Sequence, residues 1–184
     1  MSNGSLITDA KGRFAETIVS TLLEYAGYRV IRLGVEEVVS EVKASTARNE
    51  HTLQLPKQLS TAPDFLVVDP ATGVTILLEV KFRAKFDDRV TASLHKILTQ
   101  QAKYWPGTVS VFVCADHNEN STSNHIRNHI GCLRESDLER LIEPHEKLSK
   151  WQRLRTLGGI FERVAEEQFY QEAKSLVTPI RSWS

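Results

Sequence analysis

Pro63-Asp64-Phe65-Leu66-Val67-Val68-Asp69-Pro70-Ala71-Thr72-Gly73-Val74-Thr75-Ile76-Leu77-Leu78-Glu79-Val80-Lys81 reads as a β-hairpin with charged residues at its open end. Phe65 to Val68 is apolar and β-prone, Asp69 to Gly73 is turn chemistry, and Val74 to Val80 is again largely apolar and β-branched. Pairing Asp69 with Val74 across the loop sets Val68 opposite Thr75, Leu66 opposite Leu77 and Asp64 opposite Glu79. Side chains alternate along a strand, so 64, 66 and 68 share a face with 75, 77, 79 and 81. Directly opposed Cβ atoms lie about 4.5–5.5 Å apart, and two carboxylates so placed repel unless a cation stands with them. Two hard oxygen donors suit Mg2+, or Mn2+ in its place, with water filling the remaining positions. Lys81 reaches the same face. An exposed strand end can carry Asp, Glu and Lys merely for solubility. The run leading into Glu79, however, is apolar on both faces, as in a strand covered on both sides, and charges that end such a strand point to function.

The chain has 184 residues, 41% hydrophobic and 25% charged, enough for one domain with a real core. No stretch is long and apolar enough to span a bilayer, and Met1 to Ser5 lacks a signal peptide's apolar run, so a cytoplasmic protein with no membrane partner is expected. Cys114 and Cys132 are the only cysteines, too few for a four-cysteine iron–sulfur cluster. Together with His117, His125 and His129 they can be drawn as a tetrahedral zinc set, but their apolar surroundings favour small core residues. Net charge is zero, which argues against a protein coated in basic residues. Its distribution is uneven: residues 81–103 hold Lys81, Arg83, Lys85, Arg89, Lys96 and Lys103 against Asp87 and Asp88, directly after the carboxylates. Beside a metal site, Arg83, Lys85, Arg89 and Lys96 are candidate nucleic-acid contacts.

Upstream, Thr8-Asp9 can cap a helix that runs to about Gly27, with Phe14, Ala15, Ile18, Val19, Leu22, Leu23, Tyr25 and Ala26 forming one apolar arc. Glu16 lies at the arc's edge. Gly12 stands one turn earlier, where the missing side chain would permit close approach. Tyr28 to Leu33 supplies a first strand. After the hairpin, Val90 to Trp105 is helical, with Val90, Leu94, Ile97, Leu98 and Tyr104 on one face and Gln100 beside Tyr104. Val109 to Cys114 reads as a buried strand and Ile130 to Leu133 as a short one. The result is an α/β fold of order αβββαβ, with a mixed central sheet flanked by helices and a mostly parallel half. Residues 1–133 form the core, with an insertion at 34–62 that holds a helix-spaced valine run, Val35, Val38, Val39 and Val42. Residues 134–184 read as a helical extension packed on that core, broken at Gly158-Gly159.

Taken in order, these residues resemble the PD-(D/E)XK nuclease superfamily over about residues 8–115. The family's helix glutamate falls on Glu16, its Pro-Asp pair on Pro63 and Asp64, and its Glu-x-Lys on Glu79, Val80 and Lys81. Gly12 with Glu16, and Gln100 with Tyr104, match the Gly-x-x-x-Glu and Gln-x-x-x-Tyr spacings of the RecB-like branch. The resemblance implies a restriction-endonuclease-like core in which Asp64, Glu79 and the Val80 carbonyl hold Mg2+, and Glu16 contacts it through water or holds a second ion. Lys81 then polarises the attacking water or stabilises the phosphate, and Gln100, Tyr104 and Gly12 position substrate. It further implies hydrolysis of nucleic acid, DNA ahead of RNA. Similarity to junction resolvases and restriction enzymes favours an endonuclease working as a homodimer, and Gln-x-x-x-Tyr leans towards exonucleases. A catalytically inactive nucleic-acid-binding or assembly subunit with the same fold is the competing expectation.

Overall fold

The hairpin forms in the expected register. In the computed structural model, which describes residues 3–34, 57–116, 129–143 and 151–164, β2 (Phe65–Val68) and β3 (Thr75–Lys85) are antiparallel, with Leu66 opposite Leu77 and Val68 opposite Thr75. The turn fixes that register. Asp69 N–H donates to the Val74 carbonyl at 2.9 Å, the Asp69 carboxylate accepts from Ala71 N–H at 2.9 Å, and Gly73 takes φ +73°, a left-handed value that favours glycine.

β1 (Arg29–Arg32) pairs antiparallel with β2, and β4 (Val109–Asp116) lies parallel to β3. β5 (Ile130–Arg134) is antiparallel to β4, which completes a five-stranded mixed sheet in the order β1-β2-β3-β4-β5. Among the described strands one neighbouring pair, β3 and β4, is parallel, less than the mostly parallel half expected, because β5 returns antiparallel to β4; the helix between β3 and β4 makes the crossover a parallel pair requires. The architecture is α/β, and the order helix, three strands, helix, strand was legible in the sequence.

α1 spans Asn3–Tyr25 and so begins before the Thr8-Asp9 cap expected for it. A capping-type residue inside a segment that continues to propagate does not stop a helix. Its end matches expectation: Tyr28 N–H reaches the Leu23 carbonyl at 3.0 Å and Gly27 N–H the Glu24 carbonyl at 2.9 Å, the paired bonds of a Schellman stop. Ala15, Ile18, Val19, Leu22 and Leu23 are buried against Phe65, Val67, Leu78, Val80, Val111 and Val113, whereas Tyr25, at the edge of the arc, is 58% exposed. A Cβ added at Gly12 would meet nothing within 4 Å, so helix packing does not call for glycine there.

α2 is one turn, Lys57–Ser60, and α3 runs Asp88–Ala102, started by the Asp87 carboxylate accepting from Val90 N–H at 2.9 Å. α3 covers the other face of the sheet, where Leu94 and Leu98 pack with Phe86, Phe112, Cys114 and Leu133. Each leucine so buried contributes roughly 1.5–3 kcal/mol. The expected stripe holds at Leu94 and Leu98, but Ile97 is 46% exposed, and Thr91 and Gln101 are buried in its place.

The stretch after β5 is a correction. The described part of the expected helical extension holds two 3-10 turns, Glu135–Leu141 and Trp151–Arg153, then an antiparallel bridge between Arg155 and Cys132 that covers the β5 edge. Leu157, Ile160, Phe161 and Val164 enter the same core as α1. Short-range turns and tertiary contacts, with no long α-helix among these residues, hold the segment to the sheet. The valine run of the insertion, His117, His125 and residues 165–184 lie outside the described residues. No helix among those described is long and apolar enough to cross a membrane.

Candidate active site

Strand parity sorts the candidate side chains. Leu78 and Val80 face α1, so Glu79, Lys81, Arg83 and Lys85 face the α3 side of β3. Asp64 precedes Phe65, the partner of Leu78, and continues the register to a place opposite Glu79. Glu79 is buried, Asp64 and Lys81 half-buried. The sheet therefore brings Asp64, Glu79 and Lys81 together where β2 ends and β3 continues.

Beyond Phe65, β2 has no residue to pair with Val80. The Asp64 side chain takes that place: its Oδ2 accepts from Val80 N–H at 2.6 Å. The N–H and C=O of a strand residue point to the same side, so the Val80 carbonyl faces the Asp64 side as well. Lys81 Nζ makes an ion pair with Glu79 Oε1. Burial pulls the Lys81 amine down, but the charges of Glu79 and Asp64 and the bond to Glu79 outweigh it, and its pKa ends above the ordinary lysine value. Asp64 moves much further: burial first, then the like charge of Glu79, push its carboxyl up to about 7 against the opposing Val80 N–H and Lys81.

Gln101 is the residue that motif spacing missed. Its amide, buried at 5% exposure, donates to Glu79 Oε2 at 2.8 Å and to the Thr61 carbonyl at 3.0 Å. Trp105, four residues on, donates from Nε1 to the Gln58 carbonyl at 3.0 Å. The end of α3 thus grips both Glu79 and the segment that delivers Asp64. Gln100 is exposed, and Tyr104 is half-buried just past the helix. Periodicity could have found Gln101, since Thr91, Leu94, Leu98 and Gln101 follow at intervals of three and four on one helical face.

Glu16 belongs to the other layer. It is 7% exposed on α1 and accepts from Arg32 Nη1 at 2.6 Å; the Arg32 guanidinium also lies 5.0 Å from the Phe65 ring centre. Its charge reaches Asp64 as the weakest of the influences on that carboxyl. The basic candidates divide. Arg83 and Lys85 share the β3 face of Lys81, whereas Arg89 and Lys96 are exposed on α3, about seven residues apart and turned away from its buried face. Cys114 and Cys132 are thiols outside any disulfide, fully buried on β4 and β5, and His129 Nδ1 lies 2.9 Å from the Cys114 carbonyl.

Asp64, Glu79 and the Val80 carbonyl form an all-oxygen donor set of the kind hard divalent cations take. The charge state supports the same fit, because a carboxyl held near 7 by burial and a like charge is relieved by a cation. Among the described residues no group of three or more His, Cys, Asp or Glu side chains stands ready to hold an ion, so water or substrate would complete the coordination. No protein-family model matches the chain, and neither the curated proteins nor the solved structures searched contain a match.

Proposed function

We propose that the chain is a Mg2+-dependent nuclease with a PD-(D/E)XK, restriction-endonuclease-like core, hydrolysing phosphodiester bonds of DNA as an endonuclease of restriction, repair or recombination type. One observation carries this reading: two carboxylates, Asp64 and Glu79, meet at a strand end with Lys81 on one of them, and Asp64 is driven up to about 7 by burial and by Glu79. Like charges brought together in a half-buried place cost folding free energy, and chemistry is the usual return for that cost.

Asp64, Glu79 and the Val80 carbonyl would hold the cation. Bound there, Mg2+ supplies Lewis acidity, which activates water and neutralises charge on a phosphate. Gln101 keeps the Glu79 carboxylate from turning away, and the Val80 N–H does the same for Asp64. Lys81 sets an ammonium beside the reacting phosphate, where developing negative charge is stabilised most. Glu16, already neutralised by Arg32, acts at a distance.

The competing reading, a binding or assembly subunit without catalysis, draws on the Lys81–Glu79 pair, which already neutralises one of the two carboxylates. Plasmid, linear duplex, single-stranded and branched DNA, together with RNA, incubated with Mg2+ or EDTA separate the two. Cleavage that needs Mg2+ and disappears in Asp64→Ala is expected. Binding with no cleavage of any form would favour the subunit, and cleavage that persists in Asp64→Ala would remove the site.

A further inference from the structure

Arg83 is a half-buried cation near the site that no ion pair answers among the described residues. It is half-buried on β3, its Nη1 donates at 2.6 Å to the carbonyl of its own neighbour Phe82, and no carboxylate among the described residues pairs with it. Glu79 has Lys81, Glu16 has Arg32 and Asp137 has Arg155. A half-buried guanidinium held by one neutral carbonyl keeps most of its fork of donors unspent. Lys81 and Arg83 stand two residues apart on one face of β3, which sets the two cations close together. Like charges kept adjacent and partly out of water mark a place where an anion is received.

Spacing says what kind of anion. Lys81, Arg83 and Lys85 follow one another on one face of β3, each pair about 6.5–7 Å apart along the strand. That repeat is of the order of the separation between successive phosphates on an extended nucleic-acid strand. Lys85 is exposed whereas Arg83 is half-buried, so the Arg83 fork is the better held and the stronger receiver of the two. The row begins at Lys81, beside Glu79, and leads away from the carboxylates in one direction only.

We propose that Lys81, Arg83 and Lys85 form a phosphate track on β3, in which Arg83 takes, through a two-pronged hydrogen bond, the phosphate next to the scissile one on a fixed side. This rests on the nuclease reading and adds polarity to it: the substrate strand runs along β3, and the contact is to backbone, indifferent to base sequence on that side.

The test is binding of labelled DNA oligonucleotides by the full chain with Ca2+ in place of Mg2+, next to cleavage with Mg2+. Arg83→Gln should weaken binding roughly 10- to 100-fold and lower the slope of log affinity against log salt by about 0.7–0.9. Arg83→Lys should restore the slope and recover only part of the affinity, since a single ammonium does not reproduce the fork. Both variants should melt no lower than the wild type, because a merely structural arginine would be missed. One methylphosphonate beside the cleavage position should weaken wild-type binding on one side only and leave Arg83→Gln indifferent. Affinity within twofold of wild type in Arg83→Gln, equal loss from neutral phosphates on both sides, or equally tight binding of an acidic peptide would overturn the track while leaving cleavage intact. Failure of the nuclease reading looks different: no DNA or RNA is cut, whatever Arg83 does to affinity.

Discussion

Replacing Asp64 by Asn should stabilise the metal-free protein at pH 8 while abolishing cleavage. The Asp64 carboxyl is raised from 3.8 to about 7, burial being the largest cause and Glu79 the next. Between those values the folded state binds more protons than the unfolded chain, so stability falls as pH rises from about 4 to 7 and stays low above. Shifting a carboxyl by about three units costs about 4 kcal/mol well above the folded pKa. Asparagine keeps an oxygen to accept the Val80 N–H but adds an NH2 that needs its own acceptor, so roughly 2 kcal/mol of gain should survive. For a chain of this length that is a rise in melting temperature of roughly 4–8 °C.

Thermal or urea unfolding in EDTA at pH 6, 7 and 8 measures it. The wild type should gain roughly 1–1.5 kcal/mol on acidification from pH 8 to pH 6, as proton uptake by Asp64 is completed, and Asp64→Asn should be nearly flat over the same range. Added Mg2+ should then reverse the ranking, because a ligand that binds the folded state at 100 times its dissociation constant adds about 2.7 kcal/mol to the wild type alone. If Asp64→Asn melts at or below the wild type at pH 8, and the two share one pH slope, Asp64 is an ordinary solvated carboxylate and the strain assigned to the pair does not exist.

Lys81→Met should have the opposite sign in the same assay, because it strands Glu79 without its ion pair: a loss of roughly 1–3 kcal/mol and at least 100-fold in cleavage rate are expected. Gln101→Leu keeps the volume on α3 but releases both Glu79 and the Thr61 carbonyl; Mn2+ affinity, read by titration calorimetry, should fall roughly 10- to 100-fold as for loss of an outer-shell ligand partner, and unchanged affinity would show that Glu79 needs no such hold. Phe161→Ala tests whether residues after β5 belong to the core. This ring is fully buried and packs edge-on to Tyr28 at 5.5 Å, so its removal should cost roughly 3–5 kcal/mol, whereas a loosely attached extension would lose almost nothing.

What could be read from the chain depended on how far apart the deciding groups lie in it. The hairpin was legible because a short turn rich in Asp, Pro and Gly fixes the register, and register alone sets Asp64 against Glu79. α3 was legible as a helix with Leu94 and Leu98 facing the sheet, but Ile97 is exposed and the inward glutamine is Gln101, one residue past the Gln100 that motif spacing selects. Arg32 escaped notice altogether. Its pair with Glu16 depends on β1 lying at the sheet edge beside β2 and under α1, a product of strand order that no local pattern encodes. The stretch after β5 packs on the core as expected but not as a helix: Leu157, Ile160, Phe161 and Val164 enter the core beside α1, and Arg163 bonds to Tyr28, Gly27 and Asp69, 94 to 136 residues away, partners that no local pattern encodes.

The partners that the fold supplies to each carboxylate explain why Asp64, and not its neighbours, holds the tension of the site. Glu16 is answered by Arg32, and Glu79 by Lys81 and Gln101, so two of the three carboxylates are compensated from within the fold. Among the described residues the hydrogen bond to the Asp64 carboxylate comes from the backbone N–H of Val80, which compensates part of a charge and cannot neutralise it. A cation would therefore gain most from Asp64, and the fold needs to hold only that one side chain in an unfavourable state. Strain confined to a single carboxylate on a short strand, flanked by groups that are already satisfied, is affordable for a core of this size; strain spread over all three would not be.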